Sequence, residues 1–252
     1  MKILNRIITF TIPILILSCS AGKYDDLPLD KRFWTPDDYD KVIRSVKFQN
    51  KDEMLPNFND PESRVILEKL IDHENYKVVL DDDELGLKYR NELASAFFKE
   101  WKQLNDLYWQ MDRQDKYIYP LELVECYKFG LGLQLRYFPL GNEAMQENSI
   151  DPGSSELNRI IKSNVKTLIS NYGNYLEIVK NEEAFSEAAL DAYGEGIVIY
   201  FTELINMYPQ SNYNGIKNKL ELLSKKLESK SINESIERII KLIEEKETKP
   251  EG

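Results

Sequence analysis

Apolar side chains recur along most of the chain at the three- and four-residue spacing of an amphipathic helix. After Pro36, for example, Tyr39, Val42, Ile43 and Val46 share one helical face. Similar faces recur within residues 66–71, 83–112, 123–138, 157–179, 185–208, 216–227 and 236–243. The pattern predicts an all-α fold, with a single irregular multi-helix domain of about seven or eight helices over residues 35–247.

Two segments interrupt the helical pattern. Residues 76–80 are short, apolar and rich in Val, and they favour extended packing against helices because no partner strand is evident. Residues 139–154 include Pro139, Gly141, Pro152 and Gly153 and therefore predict a loop. We expect this loop to be the boundary between two subdomains or, alternatively, a binding loop.

The longest apolar stripe, over residues 83–112, predicts the central helix of the domain. Two other helices each contain a pair of glycines, which cost about 1 kcal/mol per residue relative to Ala in an exposed helix. These pairs indicate close approach of another backbone at Gly130 and Gly132 and at Gly194 and Gly196.

The first 18 residues have the three parts of a secretory signal. Lys2 and Arg6 precede an apolar stretch over residues 7–17, and small residues follow. The stretch is too short for a membrane-spanning helix, which needs about 20 residues. We therefore predict that residues 1–18 are a signal peptide that is removed.

The sequence Ile16-Leu17-Ser18-Cys19 resembles the lipobox of bacterial lipoproteins, although Ile16 stands where that family prefers Leu. The resemblance implies cleavage between Ser18 and Cys19 and attachment of a lipid to the Cys19 thiol, which would anchor the protein to a membrane. The alternative is an ordinary secretory signal in which Cys19 is incidental.

The residues after Cys19 bear on location. Ser20 stands where Asp marks some lipoproteins for the inner membrane, so the resemblance implies the outer membrane. Residues 19–34 lack apolar periodicity and predict a lipidated flexible tether. Residues 23–26 resemble a short charged run that directs some lipoproteins to the cell surface, but a solvated linker explains them equally well. The periplasmic face of the membrane and the cell surface are therefore both retained as alternative locations.

The charge of the chain narrows the class of partner. The formal net charge is -10, with 43 acidic residues, and removal of Lys2 and Arg6 makes it -12. This balance argues against nucleic acid and against adhesion to an anionic bilayer face. A basic protein partner is favoured, although the charge also serves solubility alone. Residues 248–252 are expected to be a disordered tail.

Candidate chemistry is sparse. The chain lacks a glycine-rich phosphate loop, a nucleophile elbow and an HExxH motif. With Cys19 lipidated, Cys126 is left without a disulfide partner and is expected to be a buried apolar residue; His73 is expected to favour a helix C-terminus. An acidic run from residue 81 resembles a calcium loop, but Leu85 occupies a ligand position. We therefore predict no metal and no cofactor.

These observations favour a binding protein over an enzyme, without excluding catalysis. The leading hypothesis is a lipid-anchored envelope protein that binds another protein, as an immunity-type or an accessory lipoprotein. The alternative, motivated by the aromatic content, is a surface lipoprotein that binds or processes carbohydrate. Five tyrosines near predicted helix ends are the candidates for an exposed binding surface: Tyr117, Tyr119, Tyr137, Tyr208 and Tyr213.

Overall fold

The computed structural model describes residues 24, 26–49, 55–113, 118–179 and 181–247. These residues form nine α-helices, one 3-10 turn and no strand, which confirms the all-α prediction. The helices are α1 (Pro36–Gln49), α2 (Pro61–Leu70), α3 (Glu74–Leu80), α4 (Leu87–Arg113), α5 (Pro120–Glu147), α6 (Ser155–Tyr175), α7 (Glu187–Met207), α8 (Asn214–Lys226) and α9 (Lys230–Glu247), with the 3-10 turn at Glu182–Ala184.

Helix α5, and not α4, is the central helix of the domain. It packs against α4, α6 and α7, while α1 and α3 pack on α4 and α9 packs on α7. Consecutive residues 128–135 of α5 are all buried, so the helix is enclosed on every side over two turns. The sequence pattern favoured α4 because its apolar stripe is longer, whereas the apolar residues of α5 surround the helix.

Helix α5 also corrects the loop prediction for residues 139–154. The helix continues through Pro139 to Glu147, and only residues 148–154 connect it to α6. Proline removes one helical hydrogen bond, but Leu140 and Ala144 are buried one turn apart and hold the helix against the core. A single cluster of buried side chains includes residues from both sides of this connection, so the predicted subdomain boundary loses its basis.

Helix α3 occupies the segment that was expected to be extended. Tyr76 and Leu80 lie four residues apart and are both buried, so a single helical turn places both of them in the core. Tertiary burial here outweighs the β-propensity of the two valines. With α3, the described residues form nine helices, one more than the upper number that the sequence predicted.

The segment predicted as a flexible tether is packed where it is described. Trp34 is 1% exposed, its backbone N–H donates to Asn75 Oδ1 at 2.7 Å, and its indole N–H donates to the carbonyl oxygen of Pro28 at 2.9 Å. Leu27 is buried as well. The tether prediction is therefore wrong for residues 27–34, and Cys19 and Ser18 lie outside the described residues.

An aromatic core joins the N-terminal segment to α5. We define it as Trp34, Tyr39, Tyr76, Phe97 and Phe129, each at most 2% exposed. Ring centroids are 6.0 Å apart between Trp34 and Tyr39, 6.0 Å between Tyr39 and Phe129 and 5.2 Å between Phe129 and Tyr76. Such edge and offset contacts stabilise a core beyond the area they bury.

The helical glycines accommodate side chains more than backbones. A Cβ at Gly130 would overlap the indole of Trp101, and one at Gly132 would lie 2.5 Å from the Tyr76 hydroxyl. Gly196 similarly makes room for the Tyr175 hydroxyl. The expectation of close backbone approach is therefore wrong at these three positions, where an aromatic side chain fills the space.

Candidate functional site

A groove of about 770 Å³ lies between α6 and α8. We call it the α6–α8 groove; its volume lies in the range typical of ligand sites. The turn after α7 closes one end. Its walls are lined by Ile161, Lys162, Val165, Lys166, Ile169, Ser170, Gly173, Met207, Tyr208, Pro209, Gln210, Ser211, Asn212, Gly215, Ile216 and Lys219.

Helix α6 supplies the long wall of the groove because it has two apolar stripes. Leu168 and Tyr172 are fully buried and face the core. Ile161, Val165 and Ile169 follow one another at four-residue intervals, so they share a second face, and each is only half-buried. A helix with this second stripe leaves apolar surface uncovered within the described domain.

The rim of the α6–α8 groove is basic. Three lysines line it, whereas no lining residue is acidic. Lys219 donates to the Gly173 carbonyl oxygen at 3.1 Å and pairs with Glu177 at 2.6 Å. Lys162 and Lys166 are exposed and form no ion pair with any residue in the described ranges. In a chain of net charge -10, this is a local reversal of sign.

The closed end of the groove is fixed by hydrogen bonds. The Tyr213 hydroxyl donates to the carbonyl oxygens of Tyr208 and Leu204, at 2.9 and 3.2 Å, and the Ser211 N–H donates to Tyr208 at 3.0 Å. Met207 sits at the mouth and is 40% exposed. Its flexible thioether side chain adapts readily to differently shaped apolar partners.

A second cleft, of about 420 Å³, surrounds His73 and contains the chemically richest side chains of the domain. The His73 Nδ1 lies 2.6 Å from the Tyr76 hydroxyl, and its Nε2 lies 3.2 Å from the Tyr200 hydroxyl. Beside them, Arg136 pairs with Asp81 and with Glu203, each at 3.2 Å. We call this site the His73 cleft.

The polar groups of the His73 cleft are engaged with one another. Burial, helped by the positive charges of Lys77, Lys128 and Arg136, lowers the pKa of His73 to about 3. Burial also raises the pKa of the Tyr200 hydroxyl above its ordinary value. A general base works best with a pKa near the operating pH, so these groups are poorly suited to proton transfer at neutral pH. His73 is also at the start of α3, and its predicted contact with a helix C-terminus is wrong.

Burial separates the five tyrosines that were predicted to form an exposed patch. Tyr119 is 5% exposed and its hydroxyl accepts from the Leu55 N–H at 2.8 Å, while Tyr213 is 2% exposed. Tyr208 is half-buried in the α6–α8 groove, and Tyr137 is half-buried and stacks on Phe98 with centroids 4.5 Å apart. Tyr117 lies outside the described residues. The prediction of one exposed patch is therefore wrong for Tyr119 and Tyr213.

The α6–α8 groove was not predicted because the apolar positions within residues 157–179 were interpreted as one helical face, whereas Ile161 and Val165 line the groove. The available signal was the width of the apolar sector, which is broader than one helix interface requires. The isolated Cys126, by contrast, is fully buried as expected, and burial raises the pKa of its thiol.

Across the described ranges, no group of three or more His, Cys, Asp and Glu side chains is placed to hold a metal ion. Over the same residues, no helix is both long enough and apolar enough to span a bilayer. No family model matches the chain, and neither a curated protein nor a solved structure shows significant similarity to it.

Proposed function

We propose that this chain is a lipid-anchored envelope protein that acts by binding another protein in the α6–α8 groove. The observation that carries the proposal is the uncovered apolar stripe of α6, bordered by Lys162 and Lys166. A concave, mostly apolar surface with a few polar groups at its edge is typical of binding sites. A groove between two helices suits the apolar face of an amphipathic helix.

The charge of the groove rim indicates which kind of partner segment would bind there. Total charge favoured a basic partner, but the groove itself has three lysines and no acidic lining residue. We therefore expect an apolar segment flanked by Asp or Glu, with the acidic remainder of the domain available to basic regions of the same partner. Charge complementarity of this kind mainly sets association rate and specificity.

The anchoring half of the proposal rests on the lipobox resemblance at residues 16–19. Stable attachment to a bilayer generally needs more than one acyl chain, which a multiply acylated Cys19 supplies. The outer membrane is the proposed location. We expect Cys19→Ser to move the protein from the membrane fraction to the soluble envelope fraction. An unchanged distribution would favour an ordinary secretory signal.

The proposed protein binding is tested by immobilising the full-length protein and exposing it to envelope and secreted fractions of its own bacterium. We expect one stoichiometric protein whose retention weakens as salt rises. Ile169→Glu places a like charge among the expected acidic flanks and should abolish retention. Leu222→Glu is the matched control, since Leu222 is 66% exposed on α8 and does not line the groove. Equal retention by both variants, or no retained protein, would contradict the proposal.

Two roles fit this binding mode. An immunity-type lipoprotein would neutralise a toxin that is delivered to the envelope, whereas an accessory lipoprotein would hold an assembly partner. Protection of cells against a co-inherited toxin separates them, because overexpression without protection counts against immunity. The carbohydrate-binding alternative receives its support from a different place in the fold, a pocket beside Asn105.

A further inference from the structure

A small polar pocket lies between α4, α5 and α6 and shares no lining residue with the α6–α8 groove. Its volume is about 170 Å³, which is room for roughly five or six waters at about 30 Å³ each and is comparable to one sugar ring. We call it the Asn105 pocket. It is lined by Phe98, Trp101, Lys102, Asn105, Asp106, Tyr127, Gln134, Asn171 and Asn174.

Four carboxamides line the Asn105 pocket, and one of them has an unmet hydrogen-bond requirement. Asn105 is 9% exposed, and its Oδ1 is buried without a partner among the described residues. A buried acceptor left in this way destabilises the fold, so a native fold that keeps one calls for an explanation. Oδ1 itself is enclosed in this structure, so a rotation of the Asn105 carboxamide, which lines the pocket, would present it to the donating hydroxyl of a ligand.

The neighbouring carboxamides are held in place by one another. Asn171 Nδ2 donates to Gln134 Oε1 at 2.7 Å, and Gln134 Nε2 donates to the Gly130 carbonyl oxygen at 3.1 Å. This chain fixes the orientation of Asn171 at the pocket wall. Each carboxamide offers both a donor and an acceptor, which matches the paired hydroxyls of a sugar ring.

Aromatic rings form the other side of the pocket. Phe98 and Trp101 have centroids 5.4 Å apart, Trp101 and Tyr127 are 6.4 Å apart, and the row continues to Trp109 and Tyr137. All of these except the buried Trp101 are half-buried. Ring edges and faces that remain accessible beside carboxamides suit the C–H face of a pyranose, which is apolar while its rim is polar.

The charges that line the Asn105 pocket balance each other, so they favour neither a cationic nor an anionic ligand. The lining contains one cation, Lys102, and one anion, Asp106. We propose that the Asn105 pocket binds one neutral sugar residue, with the ring against the aromatic row and the hydroxyls on Asn105, Asn171 and Asn174. This site is independent of protein binding in the α6–α8 groove.

The test is saturation-transfer difference NMR on the purified full-length protein. The probes are the methyl glycosides of glucose, galactose, mannose and N-acetylglucosamine at millimolar concentration. At least one glycoside should bind the wild type, and Asn105→Leu should weaken that binding at least tenfold. Since Asn105 Oδ1 has no partner, the same substitution should leave the melting temperature unchanged or raise it.

Asn91→Leu is the matched control. Asn91 is also on α4 and its Oδ1 is also buried without a partner among the described residues, but it does not line the pocket. It should retain wild-type glycoside binding. Asn174 is exposed, so Asn174→Ala should fold normally and weaken binding about threefold. No bound glycoside, or equal binding by wild type, Asn105→Leu and Asn174→Ala, would overturn the proposal.

Discussion

The aromatic core and the α6–α8 groove are both built from apolar side chains, but one is closed and the other is open. In the core, the Tyr39 hydroxyl donates to the Leu70 carbonyl oxygen at 2.8 Å and accepts from Asn75 at 2.9 Å, so its polar atoms are satisfied within the fold. In the groove, Met207 is 40% exposed and two lysines have no ion-pair partner in the described chain. The core therefore stabilises the domain, and the open groove is consistent with the proposal that an external partner binds there.

By the same contrast, the His73 cleft belongs with the closed aromatic core and not with the open groove. It contains the one histidine of the chain, two tyrosine hydroxyls and an arginine with two carboxylates. On residue types alone, such a set would suggest a catalytic site. The hydrogen bonds among His73, Tyr76 and Tyr200 instead make the cleft an extension of the aromatic core, since its polar groups already have internal partners.

The largest effect on stability is expected in the closed region, at Trp34. Trp34→Ala removes a fully buried indole and should lower the free energy of unfolding by about 3–5 kcal/mol. Phe33→Ala, at the half-buried neighbour, is the control and should cost much less. Guanidinium denaturation measures both. A Trp34→Ala variant as stable as the wild type would show that residues 27–34 are a tether after all.

The next largest effect on stability is expected at Gly132, which neighbouring side chains approach closely. Gly132→Ala would place a Cβ 2.5 Å from the Tyr76 hydroxyl and 3.0 Å from His73 Nδ1. Overpacking of this kind costs about 1–3 kcal/mol, which should exceed the gain in helix propensity. Gly215→Ala has open space around it and should be neutral or stabilising by up to about 1 kcal/mol.

Thermal denaturation compares these glycine variants. A double variant, Gly132→Ala with Tyr76→Phe, removes the hydroxyl that the new methyl group meets and should recover part of the loss. Recovery by the double variant would locate the clash at Tyr76. If Gly132→Ala were as stabilising as Gly215→Ala, the packing described around His73 would be wrong.

Just below pH 6.5, a smaller effect is expected from titration of His73. Its folded pKa of about 3 lies below the unfolded value of about 6.5. The stability linked to neutral His73 is therefore present above pH 6.5 and is lost as pH falls from 6.5 towards 3. The loss is at most about 1.4 kcal/mol per pH unit. A His73→Phe variant should lack this part of the pH dependence.

NMR reads this titration directly because the chain has one histidine. We expect the imidazole signals of the folded protein to keep their neutral positions through pH 5. A titration midpoint between pH 6 and 7 would instead place His73 in contact with solvent. It would also remove the argument that the His73 cleft belongs to the closed region.

The smallest effect on stability is expected in the open region. Ile169 is half-buried and also packs against the core, so Ile169→Glu should lower the free energy of unfolding by about 1 kcal/mol. Partner retention should nevertheless be lost, as it should not be for Leu222→Glu. Chemical denaturation beside the binding assay separates the two readouts. A cost of several kcal/mol would mean that Ile169 belongs to the core and that the groove is a packing feature.

Much of the fold follows from local sequence pattern. The apolar stripes of α1, α2, α6, α7, α8 and α9 are regular, and Pro36 and Pro61 each occupy the first helical position. The errors occur where tertiary packing overrides a local signal. Pro139 stays within α5 because Leu140 and Ala144 are buried, and residues 76–80 are helical because Tyr76 and Leu80 reach the core on one face.

The candidate sites were harder to predict. Tyrosines at helix ends were expected to be exposed, yet Tyr119 and Tyr213 each turn a hydroxyl to a backbone group and bury the ring. The α6–α8 groove exists because no element of the described ranges covers one face of α6, and the spacing of residues within α6 does not reveal which neighbours cover it. The Asn105 pocket brings together side chains from three helices, so no sequence spacing could place them in one site.

Site-specific photo-crosslinking in living cells tests the central claim most directly. A photoreactive amino acid at position 207, in the mouth of the α6–α8 groove, is compared with one at position 222 on the exposed face of α8. We expect one defined protein adduct from position 207 that disappears with Ile169→Glu and is absent from position 222. No adduct from position 207, or the same adducts from both positions, would contradict protein binding in the groove.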